Sequence, residues 1–420
     1  MPPNFPVQRP CAAPVARGRA STVNRWHVRA PALYRDPTAA NTREFPSAED
    51  RHLGAMIDVC AFNQTEQRGT LVNEITTVGV DLAKSVISVC GLDREGRVVL
   101  EGSMSPSAFA RWAEQQQPCL MGLEACGSAH HWARTLAGHG HDVRLMPAHL
   151  VSPFRMSRGA KSDRNDAQAI AVAVRQPTMR FVQAKSVAQQ CTLAWHRLRD
   201  GYGVERTALI NRTRGLLAEL GVWVGRSPEQ LLRVLPRLIA GEELPESFRR
   251  RLEQALHHLQ QLGEQMSGCE AHICAHAKAH PDAVRVQRIS GICAITASAC
   301  VATITDPTAF RNGRQLAGWI GLVPHQSSTG GKTRLGSITK RGDTYLRGLL
   351  VQGARSALQS ALRARPEKRS GLQQWICALN ARVGYHKTLV AIANKHARIL
   401  WVILARSEHY NPDAAAPAAA

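Results

Sequence analysis

Asp81, Glu124, Asp163 and Asp166 are the residues whose types and setting point first to chemistry. Asp81 closes the apolar run Thr77–Val80, and Glu124 closes the second apolar run Cys119–Leu123. Asp163 and Asp166 stand three apart in Ser162-Asp163-Arg164-Asn165-Asp166-Ala167, a spacing that puts both on one face of a helix. Carboxylates gathered at one place repel each other unless a cation neutralises them, and hard oxygen donors suit Mg²⁺ or Mn²⁺. Such a site supports in-line displacement at phosphorus, because divalent ions stabilise both the attacking and the leaving oxygen. Taken singly, each acid has a plainer use: Asp163 as a helix N-cap, Asp166 as a first-turn residue favoured by the helix dipole.

A second cluster lies in the C-terminal half, Ser327-Ser328-Thr329-Gly330-Gly331-Lys332. Read as a loop, its glycines let a phosphate approach the backbone, while Lys332 and Arg334 neutralise it. Lys340 and Arg341 extend the basic surface. A serine hydroxyl placed there is able to attack phosphorus and hold the strand covalently for rejoining. The plain alternative is a Ser/Gly-rich turn.

The elements that must position these groups follow from periodicity. Thr77–Val80, Ser85–Cys90 and Arg97–Leu100 alternate as three hairpin-like strands. A helix over Ser107–Gln115 follows, then a strand Cys119–Leu123, a helix from Ser128, a strand Asp142–Met146 and a helix from near Ser162. That order is the order of an α/β RNase H/RuvC-like fold, with its site at strand ends. From Val187 to about His280 the pattern is helical, and Leu252, Leu256, Leu259, Leu262, Met266, Cys269 and Ile273 recur as a coiled-coil seam does. The expected arrangement is two or more helices forming an antiparallel or intersubunit arm. The expected boundaries are a disordered basic extension at 1–73, an α/β domain at 74–186, a helical coiled-coil region at 187–283, a mostly α-helical domain at 284–406 and a disordered tail at 407–420. In the extension, Arg17, Arg19, Arg25 and Arg29 could lie on nucleic acid, or Met56 could be the real start.

Composition narrows the partner. The 420 residues carry 53 Lys and Arg against 32 Asp and Glu, a formal charge of +21. An excess of that size is most useful against a polyanion. The longest apolar runs, such as Ile399–Leu404, are too short to cross a bilayer, and without a charged n-region followed by an apolar h-region a secretory signal is not expected. Eleven cysteines without a C-x-x-C pair fit reduced cytosolic thiols, so a cytoplasmic location is expected. Cys269, His272, His276 and His280 have soft and imidazole ligands, but one straight helix does not wrap four of them around one zinc ion.

Several segments together resemble the DEDD transposases of the IS110 family and the related Piv-type DNA invertases. They are Val78-Gly79-Val80-Asp81-Leu82-Ala83-Lys84, Gly122-Leu123-Glu124-Ala125, Asp163-Arg164-Asn165-Asp166-Ala167 and the block from Asp306 to Leu350. The block contains Arg314-Gln315-Leu316-Ala317, Gly321-Leu322-Val323-Pro324 and Gly330-Gly331-Lys332. The resemblance runs from about Glu74 to Arg406, with the motifs in the family's order. It implies a RuvC-like domain, a coiled-coil region and a transposase domain with a catalytic serine. By the same resemblance, Asp81, Glu124, Asp163 and Asp166 form a metal-binding tetrad for Mg²⁺ or Mn²⁺, and Ser328 is the nucleophile, with Ser327 as the neighbouring alternative. It further implies donor and target DNA, a guide RNA encoded by the element, and a homo-oligomer. Ile289–Ala297 resembles a helix-hairpin-helix element, with Cys293 in place of its second glycine.

Three rival classes use fewer of these features. A hydrolytic nuclease of the Holliday-junction resolvase type leaves the serines idle. An actin-like ATPase needs a second Gly-rich phosphate loop, which the chain lacks. A pure DNA-binding module leaves the acids facing DNA without a neutralising ion.

Overall fold

The computed structural model describes residues 74–155 and 163–412. The expected extension at 1–73, Ser162 and the end of the tail at 413–420 lie outside them.

Period-two alternation builds the N-terminal sheet. Strands β1 (Thr77–Leu82), β2 (Ile87–Leu92) and β3 (Val98–Met104) pair antiparallel. Strands β4 (Leu120–Glu124) and β5 (Asp142–Met146) continue in parallel from β1, giving the mixed order β3-β2-β1-β4-β5. Strand β2 starts two residues later than its alternation suggests, because the Ala83 amide bonds the Val86 carbonyl in a tight turn. Helix α1 (Pro106–Gln115) lies between β3 and β4, and α2 (Ala129–Gly138) joins β4 to β5.

The two faces of the sheet do different jobs. Val78, Val80, Met121, Leu123 and Leu145 pack with Phe109 of α1 and Trp132 and Leu136 of α2. The intervening residues, Gly79, Asp81, Gly122 and Glu124, therefore point to the opposite face. A short helix α3 (Ala148–Val151) leads towards α4 (Asp163–Val174), which lies across that opposite face. Gly79 and Gly122 make its approach possible. A Cβ at Gly79 would sit 2.1 Å from the Ala167 carbonyl oxygen, and one at Gly122 would sit 2.8 Å from the Val174 Cβ.

Beyond residue 186 the chain is mostly helical. Helices α5 (Val187–Glu219), α6 (Pro228–Ala240) and α7 (Glu246–Ala279) come first. A capping box starts α5, in which the Ser186 hydroxyl accepts from the Gln189 amide and the Gln189 side chain accepts from the Ser186 amide. The seam of α7 is covered within this chain: Leu252 and Leu259 pack with Ile210 and Leu217 of α5 and Leu231 and Leu235 of α6. The seam therefore does not require a second subunit.

Next come α8 (Pro281–Val286), α9 (Ala294–Thr303) and α10 (Gly313–Trp319). A hairpin of β6 (Pro324–Thr329) and β7 (Lys332–Ile338) precedes α11 (Thr344–Arg363), α12 (Gly371–Val383) and α13 (Tyr385–Arg406). Between α8 and α9, Gly291 has φ +89°, and a Cβ there would meet the Gly353 carbonyl oxygen of α11 at 2.2 Å. Close packing explains this glycine without reference to a ligand.

Helix α13 corrects the reading of apolar runs. By length and composition the whole helix is long and apolar enough to span a membrane. Its Leu389, Ile392, Ala393, Ala397, Leu400 and Ile403 are instead buried among α9, α10, α11 and α12 as the centre of the helical core.

Candidate active site

Register brings the first two acids together. Val80 of β1 and Leu123 of β4 are parallel partners, so Asp81 and Glu124 follow side by side on the face that carries α4. Asp166 enters from the first turn of α4 and is buried, while Asp163, one turn earlier, is exposed. Burial and the charges of Asp166, Glu124 and Asp163, in that order, raise the Asp81 carboxyl to about 6, with Arg155 opposing them. Burial also raises the Glu124 carboxyl, and Arg155 pulls it back. The other three acids of the sequence reading thus all act on Asp81.

A fifth group sits among them. Arg155 contacts Asp166 Oδ1 through Nε at 2.7 Å and Glu124 Oε1 through Nη2 at 3.5 Å. Glu124 Oε1 and Asp166 Oδ1 are otherwise buried without a directed hydrogen bond. Among the described residues no three acids, histidines or cysteines converge as a ready-made metal cage. The guanidinium supplies the neutralising charge in this arrangement. The donor set itself is all hard oxygen, the type a divalent cation takes, and its two buried oxygens have no partner beyond Arg155. Sequence reasoning missed Arg155, which lies eight residues before Asp163 without a pattern to mark it. Arg164, set between the two aspartates of α4, turns away to pair with Glu101 of β3.

The serine segment is a hairpin rather than a loop. Ser327 and Ser328 lie in β6, opposite Arg334 and Thr333 of β7. Gly330 and Gly331, at φ +56° and +76°, make the two-residue turn, as a type I′ connection requires. Every residue from Pro324 to Ser337 is exposed, so Ser328, Lys332 and Arg334 stand on a projecting ribbon. Gln326 donates from Nε2 to Ser328 Oγ at 2.8 Å. The charges acting on Asp81 do not include those of the ribbon.

The ribbon's base is rigid. Gly321 and Gly342 have φ near +79° and cross so closely that a Cβ on either would strike backbone, at Arg341 O or Trp319 O. Buried Arg347 donates through Nη1 to the Ile320 and Arg341 carbonyls at 2.9 and 3.0 Å. Lys340 and Arg341 are exposed at this crossing, and Lys340 itself takes φ +54°. Arg347 is a second positioning residue that the sequence did not mark.

Cys269, His272 and His276 of α7 and His280 just beyond it go to separate uses. Cys269 is buried, His272 stacks on Trp195 at 4.1 Å between centroids, and His280 accepts from the Asp282 amide. His276 shares the Ser298 hydroxyl with buried His196, whose other nitrogen meets Tyr345 Oη at 3.0 Å.

Comparison with known proteins shows the family. A family model described as the IS110 DEDD transposase matches residues 78–221, and one described as the transposase IS116/IS110/IS902 family matches 283–369. The chain belongs to the IS110 family of transposases. It is 40% identical to a probable family 20 transposase of Pseudomonas aeruginosa, over 80% of this chain and 99% of that protein. It is 38% identical to the transposase for insertion sequence element IS1111A of Coxiella burnetii, over 82% of this chain and 94% of that one. The transposase for IS1328 of Yersinia enterocolitica is 34% identical over 78% of this chain and 96% of its own length. The first family match contains all four acids, and the second contains the ribbon.

Proposed function

We propose that this IS110-family transposase cuts and rejoins DNA through Ser328, with Asp81, Glu124, Asp163 and Asp166 holding Mg²⁺ or Mn²⁺. The observation that carries this reading is the mutual charge of the acids on the α4 face, balanced by one guanidinium. Strain of that kind is maintained at functional sites more readily than in ordinary cores. A divalent ion bound there supplies charge stabilisation to the oxygens of an in-line phosphoryl transfer.

The chain's own residues do the rest. Ser328 Oγ forms a bond to phosphorus as one backbone P–O bond breaks, and the departing oxygen gains the proton that the serine loses. Attack by a hydroxyl of the recipient strand reverses the exchange and frees the serine. Gln326 steadies Oγ by its hydrogen bond, and Gly330, Gly331, Lys332 and Arg334 receive the strand's phosphates, with Lys340 and Arg341 at the ribbon's base.

The same proposal retains the RuvC-like assignment of residues 74–186, for which the mixed sheet order is the support. It also retains the helical region at 187–283, the transposase domain at 284–406, donor and target DNA, and a guide RNA. A homo-oligomer follows from the need to hold two DNA segments and to bring the ribbon to the acids. Simple hydrolysis is the weaker reading, since it leaves the exposed serines and their donor Gln326 without a task.

Strand exchange on the element's terminal sequences tests the proposal. Asp81→Ala and Asp163→Ala should abolish exchange in Mg²⁺ while nucleic-acid binding, carried mainly by Lys and Arg contacts to phosphates, persists. Full exchange by either variant would remove the tetrad from the chemistry.

A further inference from the structure

Away from the acids and the ribbon, α10, α12, α13 and residues 408–411 line an open cavity of about 730 Å³. Its wall carries the rings of Trp375, Trp401 and Tyr410, and its rim carries Arg314, Lys395 and Arg398. Backbone packing creates the recess: a Cβ at Gly313 would lie 2.8 Å from the Arg398 Cα, so α10 closes tightly on α13. Trp401 is fixed, since its Nε1 donates to the carbonyls of Pro307 and Phe310 at 3.1 and 2.9 Å. Lys395 Nζ lies 4.2 Å from the centroid of Trp375. Burial and the charge of Arg398 hold the Lys395 ammonium below its ordinary range. The acid of the rim, Glu408, is already paired with Arg406 at 3.6 Å.

Flat apolar rings beside clustered cations match a nucleobase joined to its phosphate. The volume lies in the range of small-molecule sites and is large enough for one nucleotide. A duplex presents its phosphates but keeps its bases stacked, so only an unpaired nucleotide uses both halves of this recess. We propose that the cavity between α10, α12 and α13 binds one unpaired nucleotide, its base against Trp375 and its phosphate at Arg314, Lys395 and Arg398. This inference rests on the reading of the chain as a nucleic-acid-processing enzyme. It adds a single-strand site remote from the reacting serine.

The test uses the full-length protein and short single strands carrying 2-aminopurine, whose fluorescence falls when the base stacks on an aromatic ring. DNA and RNA strands of one sequence form two arms, with the matching DNA duplex as control. Wild type should quench the probe. Trp375→Leu should abolish the quench and weaken single-strand binding by roughly ten-fold. Arg398→Gln should keep the quench and flatten the slope of log K against log salt by about 0.7. Duplex binding should be unchanged in both variants. A stronger effect with RNA assigns the site to an RNA strand, and one with DNA to unpaired DNA; either upholds a single-strand pocket. Single strands that bind wild type without quenching, or variants that weaken duplex and single strand equally, would overturn it. Absence of all nucleic-acid binding by wild type would instead sink the proposed function itself.

Discussion

Arg155 Nε and Asp166 Oδ1 meet at 2.7 Å beside Asp81 and Glu124, the acids proposed to hold a metal ion. Asp166 is buried, but the arginine's side chain is about a third exposed, so it has a path out to solvent. The contact thus pairs a buried acid with a partly exposed cation. The guanidinium in that position opposes the rise that burial and the neighbouring acids impose on Asp81 and Glu124.

Arg155→Gln should therefore bind Mn²⁺ more tightly than wild type at pH 8. One charge removed at such range corresponds to about 1 kcal/mol in water-like surroundings, or roughly five-fold in affinity. Calorimetric titration of the full chain measures this directly. Weaker binding by the variant would mean that Arg155 orients the acids for the ion rather than competing with it. Near pH 6 the gain should shrink, since loss of Arg155 lets the Asp81 carboxyl rise further and protons then compete for the site.

Asp81 gives a prediction about pH and stability. Its folded carboxyl lies at about 6 against an ordinary 3.8, so the folded chain binds the proton more strongly than the unfolded chain does. The associated stability is fully present below about pH 4 and is lost as pH rises through about 6. The loss should amount to about 1–2 kcal/mol once screening of a partly exposed group is allowed for. Metal-free Asp81→Asn should accordingly resist urea better than wild type at pH 8 and lose that advantage at pH 4. Adding Mn²⁺ at pH 8 should stabilise wild type and not the variant. Equal midpoints for the two proteins throughout the pH range would show that Asp81 does not feel the other acids.

The strand and helix order of the N-terminal region was readable because its residues alternate cleanly. Val78 and Val80 face the core while Gly79 and Asp81 face α4. The ribbon was not readable as strands, since all of Pro324–Ser337 is exposed and no apolar alternation betrays it. Only the Gly330-Gly331 pair carried a hairpin signal. Arg155 and Arg347 were invisible for a different reason: each acts on groups reached only after folding. The seam of α7 was visible from spacing, and an arm of helices either within the chain or between subunits was expected; spacing marks a face that needs covering and did not choose between them, a choice that α5 and α6 make. In α13, Thr388 and His396 interrupt the apolar runs, so the helix looked polar piecewise although both residues are buried.

Gly79 links the fold to the site. Its missing Cβ lets α4 rest on β1, and α4 delivers Asp166 beside Asp81. Gly79→Ala should destabilise the protein by about 3 kcal/mol, since a methyl at 2.1 Å from a backbone oxygen forces the helix to move. The diagnostic part is functional: metal affinity should fall more than ten-fold while the ribbon variants Lys332→Ala and Arg334→Ala leave it unchanged. Undiminished Mn²⁺ binding by folded Gly79→Ala would separate the α4 contact from the site.

Ser328 carries the sharpest expectation. The Gln326 side chain reaches its Oγ at 2.8 Å; among the described residues no corresponding bond is made to Ser327, which lies opposite Arg334 across the ribbon. Adjacent residues of a strand point to opposite faces, so only one of the two serines is presented together with this donor. Ser328→Ala should bind DNA and RNA as wild type does, yet neither cleave nor form a covalent adduct. Ser327→Ala should retain cleavage, with a loss of about 1 kcal/mol or less in stability from altered hydrogen bonding. Gln326→Ala should lie between them, slowing cleavage roughly ten-fold through loss of one donor at the reacting oxygen. Peptide mapping of an adduct trapped on nicked substrate decides the assignment. Phosphate linkage at Ser327, or at neither serine, would give the chemistry to another residue and leave the ribbon as a binding element alone.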